Sequence, residues 1–170
     1  MKAARGLLIK DCKITKFSTA VDGGGYYSVE DGEIYGNGIG IFTLGFDGPC
    51  KFLRNNIHDN ESYAIFTDET INVEIGGNHI YNNGKGIFPF LRQGWSSDLN
   101  YWPHDNVNIH DNLIERNEGE GIDFIQSYSQ LKNNIIKYTV SNAIMQVSVT
   151  QLSGTFTYLT QMIQLSQTLH

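Results

Sequence analysis

The side chains with the most chemistry in this sequence gather in its middle. Asp98, Asp105 and Asp123 are carboxylates, His104 stands beside Asp105, Arg92 lies a few residues upstream, and Trp95 and Trp102 are the two tryptophans of the chain. Two carboxylates facing each other across a glycosidic bond serve as acid and as base or nucleophile, and their separation sets inversion or retention. If the acids hold Ca²⁺ instead, Asp68, Glu69 and Asp98 supply the oxygen ligands such an ion prefers. Arg92 or His104 would then take a proton alpha to a carboxylate that the ion neutralises. The expected catalytic groups are therefore Asp123, His104, Asp105 and Arg92, and the expected metal ligands are Asp68, Glu69 and Asp98. The cofactor expectation is none, or calcium. A turn in which Asp105 caps the strand starting at Val107 accounts for His104-Asp105 equally well.

What positions these groups is a repeat. Val73-Glu74-Ile75-Gly76-Gly77-Asn78-His79-Ile80 aligns without gaps on Val107-Asn108-Ile109-His110-Asp111-Asn112-Leu113-Ile114, and Leu131-Lys132-Asn133-Asn134-Ile135-Ile136 is a weaker copy. Asn55/Ile57/Asn60 and Gly32/Ile34/Asn37 carry the pattern upstream, and Cys12/Ile14/Phe17 is a degraded first copy. A second signature follows each, in Gly40-Ile41, Ala64-Ile65, Gly86-Ile87, Gly121-Ile122 and Ala143-Ile144. The isoleucines at 14, 34, 57, 80, 114 and 136 recur every 20 to 23 residues with one longer step, the period of a β-solenoid coil. The fold class predicted is all-β, a right-handed parallel β-helix of about six to seven coils spanning 1–170 as one domain. Residues 148–170 are expected to be a degenerate last coil or cap, because Phe156 and Tyr158 stand where the next Asn and Ile belong. Asn55, Asn78, Asn112 and Asn134 predict one side-chain ladder, and Asn37, Asn60, Asn83 and Asn117 a second, both structural.

In a strand the residue after an inward Ile points outward. The outward column after each Gly-Ile signature reads Phe42, Phe66, Phe88, Asp123 and Met145. Exposed rings stacked in this way offer a platform to the apolar faces of sugar rings, or are covered by loops or a neighbouring chain. The long step places its extra residues between Phe88 and Val107, with Trp95 and Trp102 in the excursion. Insertions that break a solenoid repeat are where function collects. Phe42, Phe66, Phe88, Trp95 and Trp102 are therefore the expected substrate-binding set. His58, Tyr81, Glu115 and Lys137 form another outward column, read as a solvated face.

Charge and composition narrow the partners. Lys and Arg number 12 against 18 Asp and Glu, a formal net charge of -6, so nothing provides the basic footprint that nucleic acid or an anionic membrane needs. No apolar run reaches the roughly 20 residues of a membrane span, and Lys10 and Asp11 interrupt the N-terminal apolar stretch before a signal-peptide core forms. Cys12 and Cys50 are predicted two coils apart, about 9.6 Å, and so unpaired. The chain starts within a coil and shows no capping helix, which points to a parent chain or a homo-oligomer.

The Asn-x-Ile-x-x-Asn followed by Gly-Ile, from about Leu7 to Val147, resembles the parallel β-helix repeat of pectate-lyase-like proteins, uronan epimerases and periplasmic copper-enzyme maturation factors. That resemblance implies a polysaccharide as partner, a lyase or glycosidase activity, and an extracellular or periplasmic location. A non-catalytic sugar-binding adhesin or a structural module is the alternative it also implies. Epimerases of this superfamily carry Asp-Pro-His-Asp after a Gly-Ile. Here Gly121-Ile122-Asp123 keeps only the first Asp, while Pro103-His104-Asp105 stands outside that slot.

Overall fold

The computed structural model describes residues 6–45, 48–70, 72–90, 107–124, 129–146 and 157–159. The chain winds in coils of three short strands. The first coil holds β1 (Leu7–Lys10), β2 (Lys13–Thr15) and β3 (Thr19–Gly23), and the second β4 (Tyr27–Glu30), β5 (Glu33–Tyr35) and β6 (Ile39–Leu44). The third holds β7 (Cys50–Leu53), β8 (Asn56–His58) and β9 (Tyr63–Asp68), and the fourth β10 (Val73–Gly76), β11 (His79–Tyr81) and β12 (Lys85–Phe90). The fifth holds β13 (Val107–His110), β14 (Leu113–Glu115) and β15 (Ile122–Phe124), and the sixth β16 (Ser129–Lys132), β17 (Ile135–Lys137) and β18 (Ile144–Gln146); β19 (Thr157–Leu159) follows. Every strand pairs in parallel with its equivalent one coil away. The result is sheet A (β1-β4-β7-β10-β13-β16), sheet B (β2-β5-β8-β11-β14-β17-β19) and sheet C (β3-β6-β9-β12-β15-β18). From β1 to β16 the stack makes about five full turns, slightly fewer than the six to seven coils expected.

The register is the one the repeat predicts. Ile14, Ile34, Ile57, Ile80, Ile114 and Ile136 are successive partners in sheet B, and Ile41, Ile65, Ile87, Ile122 and Ile144 in sheet C. From Ile34 to Ile136, and from Ile41 to Ile122, these isoleucines are buried. Each such side chain removed from water stabilises the stack by about 1.5–3 kcal/mol. Sheet A adds Val29, Phe52, Ile75, Ile109 and Leu131 to the same core. No helix of the described chain is long and apolar enough to cross a membrane.

Two sharp corners per coil explain where the asparagines fall. Asp11, Asp31, Arg54, Gly77, Asp111 and Asn133 all have φ between 53° and 64°, and each immediately precedes a position of the first ladder. Lys16, Gly36, Asp59, Asn82, Arg116 and Tyr138 do the same before the second. A left-handed residue turns the chain through the corner and leaves the next backbone N–H without a strand partner. The ladder supplies that partner from the next coil. Asn78 N and Nδ2 both donate to Asn112 Oδ1 at 2.9 Å, while Asn78 Nδ2 also donates back to Phe52 O at 2.8 Å. The same bonds link Asn55 to Asn78, Asn112 to Asn134, and Asn37 through Asn60 and Asn83 to Asn117.

The small residue before each sheet C isoleucine also has a steric cause. A Cβ added at Gly121 would sit 2.8 Å from Ala143 O and 2.6 Å from Ile136 Cγ2, so at this coil not even a methyl fits without a shift of the neighbouring chain. At the C-terminal end, β19 continues sheet B in register with Tyr158 opposite Ile136, within the span expected to be a degenerate last coil or cap. The rest of 148–170 beyond Ile144–Gln146 and Thr157–Leu159 lies outside the described residues. Both cysteines are free, as expected; Cys50 is buried, and burial pushes its thiol above the ordinary value.

Candidate functional site

The outer face of sheet C carries the predicted column. Asp22, Phe42, Phe66 and Phe88 are successive register partners, and the Ile87–Ile122 pairing puts Asp123 next, followed by Met145. The ring centroids of Phe42 and Phe66 are 5.1 Å apart and those of Phe66 and Phe88 5.0 Å, tilted by 58° and 31°. Tyr63 lies beside them, stacked on Phe88 at 5.2 Å and 15° and tilted against Phe66 at 5.2 Å. Phe90 packs against Phe88 as well, its ring centroid 5.7 Å away. Phe88 is accordingly buried rather than exposed as expected, and the half-buried rings on this face are Phe42, Tyr63 and Phe66.

At the end of the rings sits a charged cluster. Lys85 Nζ donates to Asp123 Oδ2 at 2.9 Å and pairs with Glu120 Oε2 at 3.0 Å. It also stands 5.9 and 5.8 Å from the ring centroids of Tyr63 and Phe88. Partial burial works to lower the lysine, but the hydrogen bonds to Asp123 and Glu120 outweigh it and hold the ammonium above the usual lysine range. Burial would raise Glu120, and the Lys85 and Ser141 hydrogen bonds keep it below the ordinary carboxylate value instead. Asp123 is only 2 % exposed, and its second oxygen, Oδ1, is buried with no hydrogen-bond partner. An unpaired buried acceptor costs about 1–3 kcal/mol.

A sequence model of the right-handed β-helix region matches residues 1–155. The chain belongs to the right-handed β-helix family. A search of curated proteins found no match, and a search of solved structures found none.

The family supplies the scaffold, and the β-helix distinguishes itself by what it hangs on sheet C. Of the expected residues, the structure brings Phe42, Phe66, Phe88 and Asp123 together on one column. Asp68 and Glu69 end the same face at β9, with Asp68 register partner to Phe90 and Leu44. Among the described residues no three His, Cys, Asp or Glu side chains gather that could hold a metal ion. Arg92, Trp95, Asp98, Trp102, His104 and Asp105 lie outside the described residues. The excursion that contains them starts two residues later than Phe88, because β12 runs to Phe90 with Pro89 inside it. Pro89 has no N–H to give to a ladder.

The expectation missed Lys85, Glu120 and Tyr63. Their signal was in the repeat: Tyr63, Lys85 and Glu120 each stand three residues before the outward residue of their coil, Phe66, Phe88 and Asp123. The column read as a plain solvated face is also more organised. Tyr35, His58 and Tyr81 stack face to face at 5.1 and 4.7 Å, within 6° of parallel. Glu115 below them is buried and bound by Lys137, His79 and Arg116. Rings stacked along the axis present their edges outward, so this array ties coils together.

Proposed function

We propose that the β-helix is a carbohydrate-active domain that binds a polysaccharide on the outer face of sheet C and cleaves it hydrolytically. The observation that carries this reading is the row of half-buried rings, Phe42, Tyr63 and Phe66, backed by the buried Phe88 and running into the Lys85–Asp123–Glu120 cluster. Half-buried rings take the apolar faces of sugars, and the adjoining charged groups take their hydroxyls. Asp123 and Glu120 both reach one ammonium, so the two bound oxygens lie at most about 6 Å apart, a limit that admits the roughly 5–5.5 Å separation of a retaining carboxylate pair. Elimination needs a free base beside the sugar, and Lys85, held as an ammonium, is a poor one. The fact that Lys85 occupies both carboxylates favours a second reading, non-catalytic sugar binding.

Incubation with a panel of neutral and acidic polysaccharides separates these. Hydrolysis releases reducing ends without absorbance from unsaturated uronate, and Asp123→Asn abolishes that release while binding persists, because the shape stays and the ionisable group goes. Unsaturated products would replace hydrolysis by elimination. Binding without turnover would leave the adhesin reading, and loss of binding in Phe66→Ala locates the platform in either case.

A further inference from the structure

We infer that the sheet C face takes a glycan rich in hydrogen-bond donors and free of carboxylates, an amino sugar polymer best of all, laid along the solenoid axis between Asp22 and Asp123. The inference rests on the saccharide reading above and specifies its ligand. Asp22 begins the outward column that Asp123 continues beyond the rings, so a carboxylate stands at each end of Phe42, Phe66 and Phe88. Four strand spacings of about 4.8 Å separate them, roughly 19 Å, a length that fits several sugar residues in a row. Glu120 adds a third carboxylate beside Asp123, and Lys85 is the one cation described among these side chains. Three acids to one base leave the strip anionic on a chain whose net charge is already -6. A polyuronate would bring a carboxylate against that strip at every residue, and like charges at close range repel.

The second observation is Asp123 itself. A carboxylate only accepts hydrogen bonds, and its Oδ1 has no donor although the residue is 2 % exposed and belongs to the outward column. Sugar hydroxyls and ammonium groups are donors; a uronate carboxylate is not. Lys85, one-third exposed on a flexible stem, is the described side chain bonded to both carboxylates, and displacing its arm opens them to a ligand donor. An ammonium on the sugar replaces the charge that Lys85 withdraws, which ranks amino sugars above neutral ones.

Titration calorimetry at low salt with hexamers of glucosamine, glucose, xylose and galacturonate tests this. The expected order is glucosamine tightest, the neutral hexamers next, and galacturonate at least tenfold weaker than either neutral sugar. The double variant Asp22→Asn, Glu120→Gln should narrow the galacturonate gap to threefold or less; Asp22 is exposed and both changes conserve shape, and a melting temperature equal to that of the parent checks that the fold is retained. Galacturonate binding tightest, or a gap that the double variant does not change, would overturn the inference and leave saccharide binding standing. Absence of binding by all four hexamers would overturn the saccharide reading, and the inference with it.

Discussion

Asn112 satisfies four groups on the two coils that flank it. Its Oδ1 accepts from Asn78 N and Nδ2, and its Nδ2 donates to Ile75 O and Asn134 Oδ1. Asn112→Ala takes the acceptor from the buried Asn78 N and the side-chain donor from Ile75 O, while Asn78 Nδ2 keeps Phe52 O and Asn134 Oδ1 keeps the backbone N–H of residue 112, and it should destabilise the fold by roughly 1–3 kcal/mol. A melting temperature equal to that of the parent would contradict it. Asn37 heads the other ladder with its Nδ2 bonded to Ile14 O in the first coil, whose own ladder position is Phe17. The equivalent substitution there breaks bonds near the open end and should cost less. The site has its own residue-level consequence. Lys85→Met removes the only described cation between Asp123 and Glu120, and because the two carboxylates then face each other, one of them should titrate at raised pH. Carboxyl NMR shifts of the two residues followed from pH 3 to 8 would show that displacement, and two unperturbed curves would show them too far apart to interact.

At the scale of the strand and corner, the strain is unevenly distributed. Aspartate, asparagine and glycine hold most left-handed corners, but Tyr138 turns the last second-type corner at φ 57° with its side chain half exposed. A bulky residue there costs roughly 1–2 kcal/mol relative to one that adopts this conformation freely. Tyr138→Gly should raise the denaturation midpoint accordingly; a drop would mean that the ring's contact with Lys137 outweighs the strain. The corners also explain what was legible in advance. A buried Ile and a ladder Asn recur because each coil must solve the same packing and hydrogen-bond problem, so the register of sheet B could be read from Ile34, Asn55, Ile80 and Asn112, and that of sheet C from Ile41, Ile87 and Ile122. The column Phe42–Phe66–Phe88–Asp123 followed from the same alternation. Nothing in alternation states how far a side chain reaches, so Lys85 arching over Phe88 to Asp123, and the burial of Phe88 beneath Tyr63, were invisible. Nor could it show Glu115 drawn under Lys137 and His79. The groups of the long excursion obey no repeat, and position in the sequence does not place them.

Across the whole molecule, ion pairs run from coil to coil on the outer faces. Lys13 to Glu33, Arg54 to Asp31 and Lys51 to Glu74 each join neighbouring turns at 2.6 to 2.8 Å. Hydrogen bonds from Arg54, Lys13 and Lys51 respectively hold Asp31, Glu33 and Glu74 below the ordinary carboxylate value. The sign follows: their contribution is complete above the unfolded-state values near pH 4 and disappears as the pH falls through the lower folded-state values. Each pair is exposed and worth little alone. Together they should move the urea midpoint downward between pH 6 and pH 3 with an unchanged slope, and an invariant midpoint would show the pairs to be fully screened.

The asparagine ladders impose a direction on that stack. Every ladder oxygen accepts from the coil before it, so a coil's corner N–H is satisfied only when its successor is in place. Under tension such a structure would not yield all at once. Pulled from its C-terminal end in an optical trap, it should come apart as a staircase, one rung per coil. The tread widths would copy the ladder spacing of 23, 34 and 22 residues between Asn55, Asn78, Asn112 and Asn134. One step would be longer than its neighbours by roughly 40 Å of extended chain, and it would mark where the 91–106 excursion is spliced into the winding.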